Sequence, residues 1–77
     1  MKRTVNLTNY REPGIQDKIR DNMLKIARER RLSVRGLSTE TGVNRSTLDK
    51  FIDGVGIIGL SPLCSIEDWI IEHIIEE

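Results

Sequence analysis

A chain of 77 residues with a single cysteine, Cys64, has room for one small domain, buries only about 60% of the surface its unfolded form exposes, and cannot hold itself together with an internal disulfide. It is 38% apolar and 31% charged, the balance of a globular protein, and it contains neither an apolar run long enough to cross a bilayer nor, after Met-Lys-Arg, the apolar stretch of a secretory signal. Its net charge of zero hides a division: all twelve Lys and Arg lie in residues 1–50 with six acids, whereas residues 51–77 hold six acids and no Lys or Arg, so the halves carry +6 and −6.

Residues 1–14 read as an N-terminal arm. Thr4-Val5-Asn6-Leu7-Thr8 alternates polar and apolar residues, as a short strand does, but Asn9 and the Pro13-Gly14 pair break it. With no partner strand in view, a mobile or partly extended segment is expected.

From Ile15 the period changes. Ile15, Ile19, Met23, Ile26 and Ala27 recur at spacings of three and four, which predicts an amphipathic helix to about Arg31. Arg28, Arg30 and Arg31 then fall at the negative end of its dipole. Ser33 suits the N-cap of a second, short helix from Val34 to about Thr41, with Val34, Leu37 and Ser38 facing inward. Gly42 supplies the left-handed residue that ends it. Asn44 caps a third helix through about Ile52, with Leu48, Phe51 and Ile52 on one face and Asp53-Gly54 closing it.

Residues 54–61 form a glycine-rich but apolar loop, expected to pack down on the core. Gly54-Val55-Gly56-Ile57-Ile58-Gly59 matches G-x-G-x-x-G literally, yet a dinucleotide site needs a preceding strand and a parallel sheet, for which this chain is too short. Pro62 marks a helix start, and Ser65 with Asp68 offers a second one. The last helix, about 62–76, carries Ile66, Ile70 and Ile74 on one stripe, widened by Trp69, Ile71, His73 and Ile75.

The second and third helices are separated by three residues, Gly42-Val43-Asn44. Leu37 and the small Ser38 precede that glycine by five and four residues. Val43 follows it directly, Leu48 by six and Phe51 by nine. Gly42 lets the chain reverse, Ser38 allows a close crossing, and the apolar residues fill the wedge between two helices set crosswise. Arg45, Ser46, Asp49 and Lys50 are then left on the outer side of the third helix, the shape that enters a DNA major groove about 12 Å wide.

The stretch Leu32–Gly54, LSVRGLSTETGVNRSTLDKFIDG, resembles the helix-turn-helix of phage lambda-type repressors and Cro proteins, the XRE-like regulators, and the preceding helix fits that family's first. The resemblance implies an all-α, lambda repressor-like bundle of four to five helices with an extended N-terminal arm. It also implies a sequence-specific, double-stranded DNA-binding transcriptional regulator of the phage or plasmid repressor type. Carried over, Asn44, Arg45, Ser46, Asp49 and Lys50 meet bases or nearby phosphates, Ser33 and Arg35 meet phosphates, and Lys2 and Arg3 follow the duplex as an arm. Val34 stands where the family often has Gln, so a clamp on a base-reading side chain is lost or moved to Ser33 or Arg35. The family tends to have two further helices after the third, and only one is evident here.

Arg commonly pairs bidentately with guanine, the role expected of Arg45. Asp49, one turn on, either holds Arg45, accepts from a cytosine amino group, or offsets local charge. Lys18, Arg20, Lys25 and Arg28 are read as solvated helix residues. Trp69, Ile70, Ile71, Ile74 and Ile75 exceed what a peripheral helix needs and predict a homodimer interface, hence an inverted-repeat operator with half-sites about 34 Å apart. The alternative is a protein-interaction module of the same fold, an antitoxin or anti-repressor binding a partner through the acidic, Ile-rich tail. His73 reads as a packing or interface residue and Cys64 as a small buried hydrophobe. No metal-ligand spacing and no nucleophile–base–acid set can be assembled, so neither enzyme, cofactor nor small-molecule substrate is expected. The free thiol fits a reducing compartment, and the cytoplasm is the expected location.

Overall fold

The computed structural model describes residues 3–75, the last by its backbone alone. Four helices make up its regular structure: α1 (Pro13–Glu29), α2 (Val34–Thr41), α3 (Arg45–Asp53) and α4 (Leu60–Ile75), with no strand among the described residues. The fold is all-α.

Helix α1 begins two residues before the expected Ile15. Pro13 opens the helix instead of blocking it, because its fixed φ suits the first turn and its missing N–H has no intrahelical acceptor there. At the other end, α1 stops at Glu29 rather than Arg31. Arg31 adopts a left-handed φ of 55°, and the Leu32 N–H donates to the Ala27 carbonyl at 2.8 Å. This is the usual C-terminal wrap, with Arg in the place glycine commonly holds.

The core runs the length of the bundle. Ile19, Met23 and Ala27 of α1 meet Leu37, Val43, Leu48 and Phe51 around the α2–α3 corner, and Leu63, Ile66, Trp69 and Ile70 of α4 complete it. Phe51, Met23, Leu37, Leu48, Leu63 and Ile66 are fully buried, so aliphatic residues around one phenyl ring form the centre.

Helix α4 starts at Leu60, two residues before Pro62. Pro62 is tolerated in the first turn, where backbone N–H groups have no intrahelical partner. Ser65, read as another start, lies inside the helix. The preceding loop corrects a second expectation. Only Ile58 packs down, whereas Val55 and Ile57 remain 66% and 52% exposed.

The segment before α1 forms turns, not a strand. The Asn6 carboxamide oxygen accepts from the Thr8 N–H at 2.9 Å and the Asn9 side chain accepts from the Asn6 N–H at 2.8 Å. Instead of moving freely, Val5 is buried in the core. The Glu67 carboxylate of α4 accepts from the Thr4 and Val5 N–H groups, both at 3.0 Å, and from the Thr4 hydroxyl at 2.6 Å. Gln16, also buried, donates to the Tyr10 carbonyl at 2.6 Å and to the Ile58 carbonyl at 3.3 Å. One carboxamide thereby ties the arm and the glycine loop to α1.

Candidate nucleic-acid interface

Local chemistry builds the corner between α2 and α3. Ser33 caps α2, its hydroxyl accepting from the Gly36 N–H at 3.2 Å. Gly42 closes that helix at φ 75°, and nothing lies within 4 Å of where its Cβ would stand. Ser38 does more than leave space, because its hydroxyl donates to the Val43 carbonyl at 2.7 Å. Thr41 accepts from the Val43 N–H at 3.2 Å. Both polar groups of Val43 are thereby satisfied while its side chain is buried. Asn44 then caps α3, accepting from the Ser46 N–H at 2.8 Å.

With Leu48 and Phe51 buried behind it, α3 leaves Asn44, Arg45, Ser46, Asp49 and Lys50 exposed together. The Asn44 side-chain oxygen is committed to its own helix, which leaves its NH₂ as the group available to a ligand. No ion pair joins Arg45 to Asp49 among the described residues. Of the readings open for Asp49, the bracing of Arg45 is the one without support. Arg45, Lys50 and the equally exposed Arg35 of α2 have no carboxylate within 4 Å among those residues. Ser33, the α2 cap, is also exposed, and Val34 is half-buried against the core.

Other expected site residues sit elsewhere. Arg3 pairs with Asp68 of α4 through two bonds, Nε to Oδ1 at 3.0 Å and Nη2 to Oδ2 at 2.5 Å. The hydrogen bond and then the charge of Asp68 raise the guanidinium's pKa further above its ordinary value. In this arrangement Arg3 ties the N-terminal segment to α4 through an exposed pair. Lys2 lies outside the described residues, as does the Ile75 side chain.

The residues assigned to an interface divide. Trp69 and Ile70 are buried within the monomer. The Trp69 indole N–H donates to Glu40 of α2 at 2.9 Å, and its ring meets that of His73 with centroids 4.4 Å apart. The His73 Nδ1 is 2.7 Å from the Trp69 carbonyl, which can only accept, so Nδ1 carries a proton. Ile74 is 40% exposed and Ile71 half-buried. Both line a groove between α4 and α1 that also includes Lys18, Asn22 and Glu67. Cys64 is half-buried rather than enclosed.

Three residues with definite work were absent from the expected set: Glu67, Gln16 and Arg20. Arg20 is not a solvated helix residue. Its side chain is 16% exposed and its Nη1 pairs with Asp17 at 2.6 Å. Its Nε donates to the Phe51 carbonyl at 2.5 Å. Helical register was a usable signal for the other two. Gln16 precedes Ile19 by three, and Glu67 follows Leu63 by four and precedes Ile70 by three.

The chain matches no family model, and comparisons with curated proteins and with solved structures return no match. No helix among the described residues is long and apolar enough to cross a membrane.

Proposed function

We propose that this protein is a helix-turn-helix DNA-binding regulator whose α3 reads base edges in the major groove. The observation that carries the proposal is the polar, uncovered face of α3 on a helix whose opposite face is locked in the core. Arg45 and Lys50 lie there, and Arg35 is exposed on α2, all unpaired with the protein's own carboxylates among the described residues. A bare guanidinium on a rigid helix suits guanine O6 and N7. Arg35 and the hydroxyl of Ser33 supply backbone contacts beside it. The acids of α4, Glu67, Asp68 and Glu72, belong to a different helix from the reader. Glu67 and Asp68 are, in addition, engaged by the arm.

In this reading the protein acts as a homodimeric repressor of the lambda type in the cytoplasm, on an inverted repeat. Ile71 and Ile74, rather than Trp69 and Ile70, supply the apolar contact between copies. The test is fluorescence anisotropy with a duplex from the protein's own promoter region and a scrambled duplex, at two salt concentrations. Affinity should fall steeply with salt as counterions are released. Arg45→Ala should cost about 1–3 kcal/mol on the specific site and relax the choice at one base pair. Equal losses on both duplexes remove Arg45 from base reading, and no binding to either duplex removes the proposal.

A further inference from the structure

Helix α3 is held at its two ends by two different helices. Its N-terminal end is tied to α2 by the bond from the Ser38 hydroxyl to the Val43 carbonyl, one residue before the Asn44 cap. Its C-terminal end is gripped by one side chain of α1. The Arg20 Nε donates to the Phe51 carbonyl at 2.5 Å, and its guanidinium carbon lies 5.1 Å from the centre of the Phe51 ring. It also passes 3.9 Å from the place a Cβ would occupy on Gly54, the residue that ends α3.

We propose that Arg20 is a positioning residue for the reading face, setting the angle at which α3 is presented to DNA. The inference rests on the DNA-reading interpretation of α3 and adds to it a residue that touches no nucleic acid. Three features make Arg20 suited to the task. A cation at a helix C-terminus meets the negative end of the dipole, and the Phe51 carbonyl, which otherwise accepts only the longer 3.2 Å bond from the Gly54 N–H, has a second lone pair for it. The same planar group lies near the ring of the residue whose carbonyl it binds, so it constrains both the backbone and the side chain of Phe51. Asp17 holds the guanidinium in turn at 2.6 Å, so the restraint originates on the rigid body of α1.

Geometry shows why one contact matters. Nine residues span about 13 Å at 1.5 Å per residue, so a swing of roughly 10° moves one end of α3 by about 2 Å relative to the other. That exceeds the tolerance of a hydrogen bond to a base edge. Contacts to phosphates through long, mobile Lys and Arg side chains accommodate such a shift. Loosening Arg20 should therefore reduce discrimination between sequences more than it reduces affinity for DNA in general.

The experiment uses the full chain, its Arg20→Met and Arg20→Lys variants, and a duplex that the wild type selects from a random-sequence pool. Binding to that duplex and to a scrambled one is measured where circular dichroism shows each variant fully folded. Residual dipolar couplings report the orientation of α3 relative to α1 without DNA. Arg20→Met should weaken selected-site binding roughly tenfold, within the range spanned by one base contact, while scrambled-duplex binding changes much less. Its α3 couplings should shift, and Arg20→Lys should fall between Met and wild type. A lower melting temperature with an unchanged selected-to-scrambled ratio assigns Arg20 a merely structural role and overturns the proposal. Unchanged α3 couplings in Arg20→Met overturn it as well, whatever the duplexes show. Failure of the wild type to enrich any sequence sinks the DNA-reading interpretation itself, and the couplings alone then decide whether Arg20 sets the orientation of α3.

Discussion

Replacing Glu67 by Ala should release the N-terminal arm, and the size of the effect can be worked from its three contacts. In the native protein the carboxylate accepts from two backbone N–H groups and one hydroxyl. With Ala at 67 and the arm still docked, the Val5 amide is left buried without a partner and the Thr4 amide half-buried without one. A buried unsatisfied group costs about 1–3 kcal/mol. The arm escapes that cost by undocking, which exposes Val5 and forfeits about 1.5–3 kcal/mol of apolar burial, offset in part by regained chain freedom. The protein takes the cheaper route, so a loss of about 1–2 kcal/mol is expected. Set against a total of roughly 0.05–0.15 kcal/mol per residue, that is a large share for this chain. Glu67→Gln retains an oxygen for the amides and should cost about 1 kcal/mol, the charge reinforcement of the bonds. Urea unfolding followed through Trp69, the only tryptophan, measures both, and a smaller denaturant dependence in Glu67→Ala would report the arm already free. A loss in Glu67→Ala below about 0.5 kcal/mol, the range of ordinary surface substitutions, refutes the claim that this carboxylate holds the arm.

The α2–α3 corner yields two further tests by thermal unfolding. Gly42→Ala meets no steric obstacle, so its cost is the left-handed conformation alone, about 1–2 kcal/mol; Gly42→Asn should cost less and Gly42→Val more, and equal values for all three would contradict the left-handed turn. Asn44→Ala removes the α3 cap and should cost about 1 kcal/mol, with faster amide exchange at Ser46 as its local signature; unchanged exchange there would contradict the cap.

The corner was the most legible part of the molecule because its signals are local. Gly42, the caps Ser33 and Asn44, and the apolar residues at fixed offsets act on the few residues around them. The exposure of Arg45 through Lys50 followed from the burial of Leu48 and Phe51 on the other side of a nine-residue helix. What escaped depends on residues distant in sequence. Glu67 holds Thr4 and Val5 across more than sixty residues, and Gln16 reaches Ile58 across forty-two. A carboxylate or carboxamide at a core-facing register position signals that it has a partner, but local pattern does not say which. The pairing of Arg3 was hidden for the same reason, since Asp68 comes beside it only in the fold. Pro13 and Pro62 each leave the helix start uncertain by two residues, because proline at different positions of the first turn, or just before it, looks alike in sequence. Trp69 and Ile70 face inward because a core this small needs their apolar surface, a demand that the local stripe of α4 does not display.

The central claim is that the uncovered face of α3 meets DNA. The direct measurement is a map of backbone amide chemical-shift changes as a promoter-derived duplex is added to isotopically labelled protein. The account predicts that the largest changes fall on Asn44 through Lys50, with smaller ones at Ser33 and Arg35 and little change along the α1–α4 groove at Asn22, Ile71 and Ile74. Shifts concentrated in that groove, with α3 unmoved at saturating duplex, would contradict it.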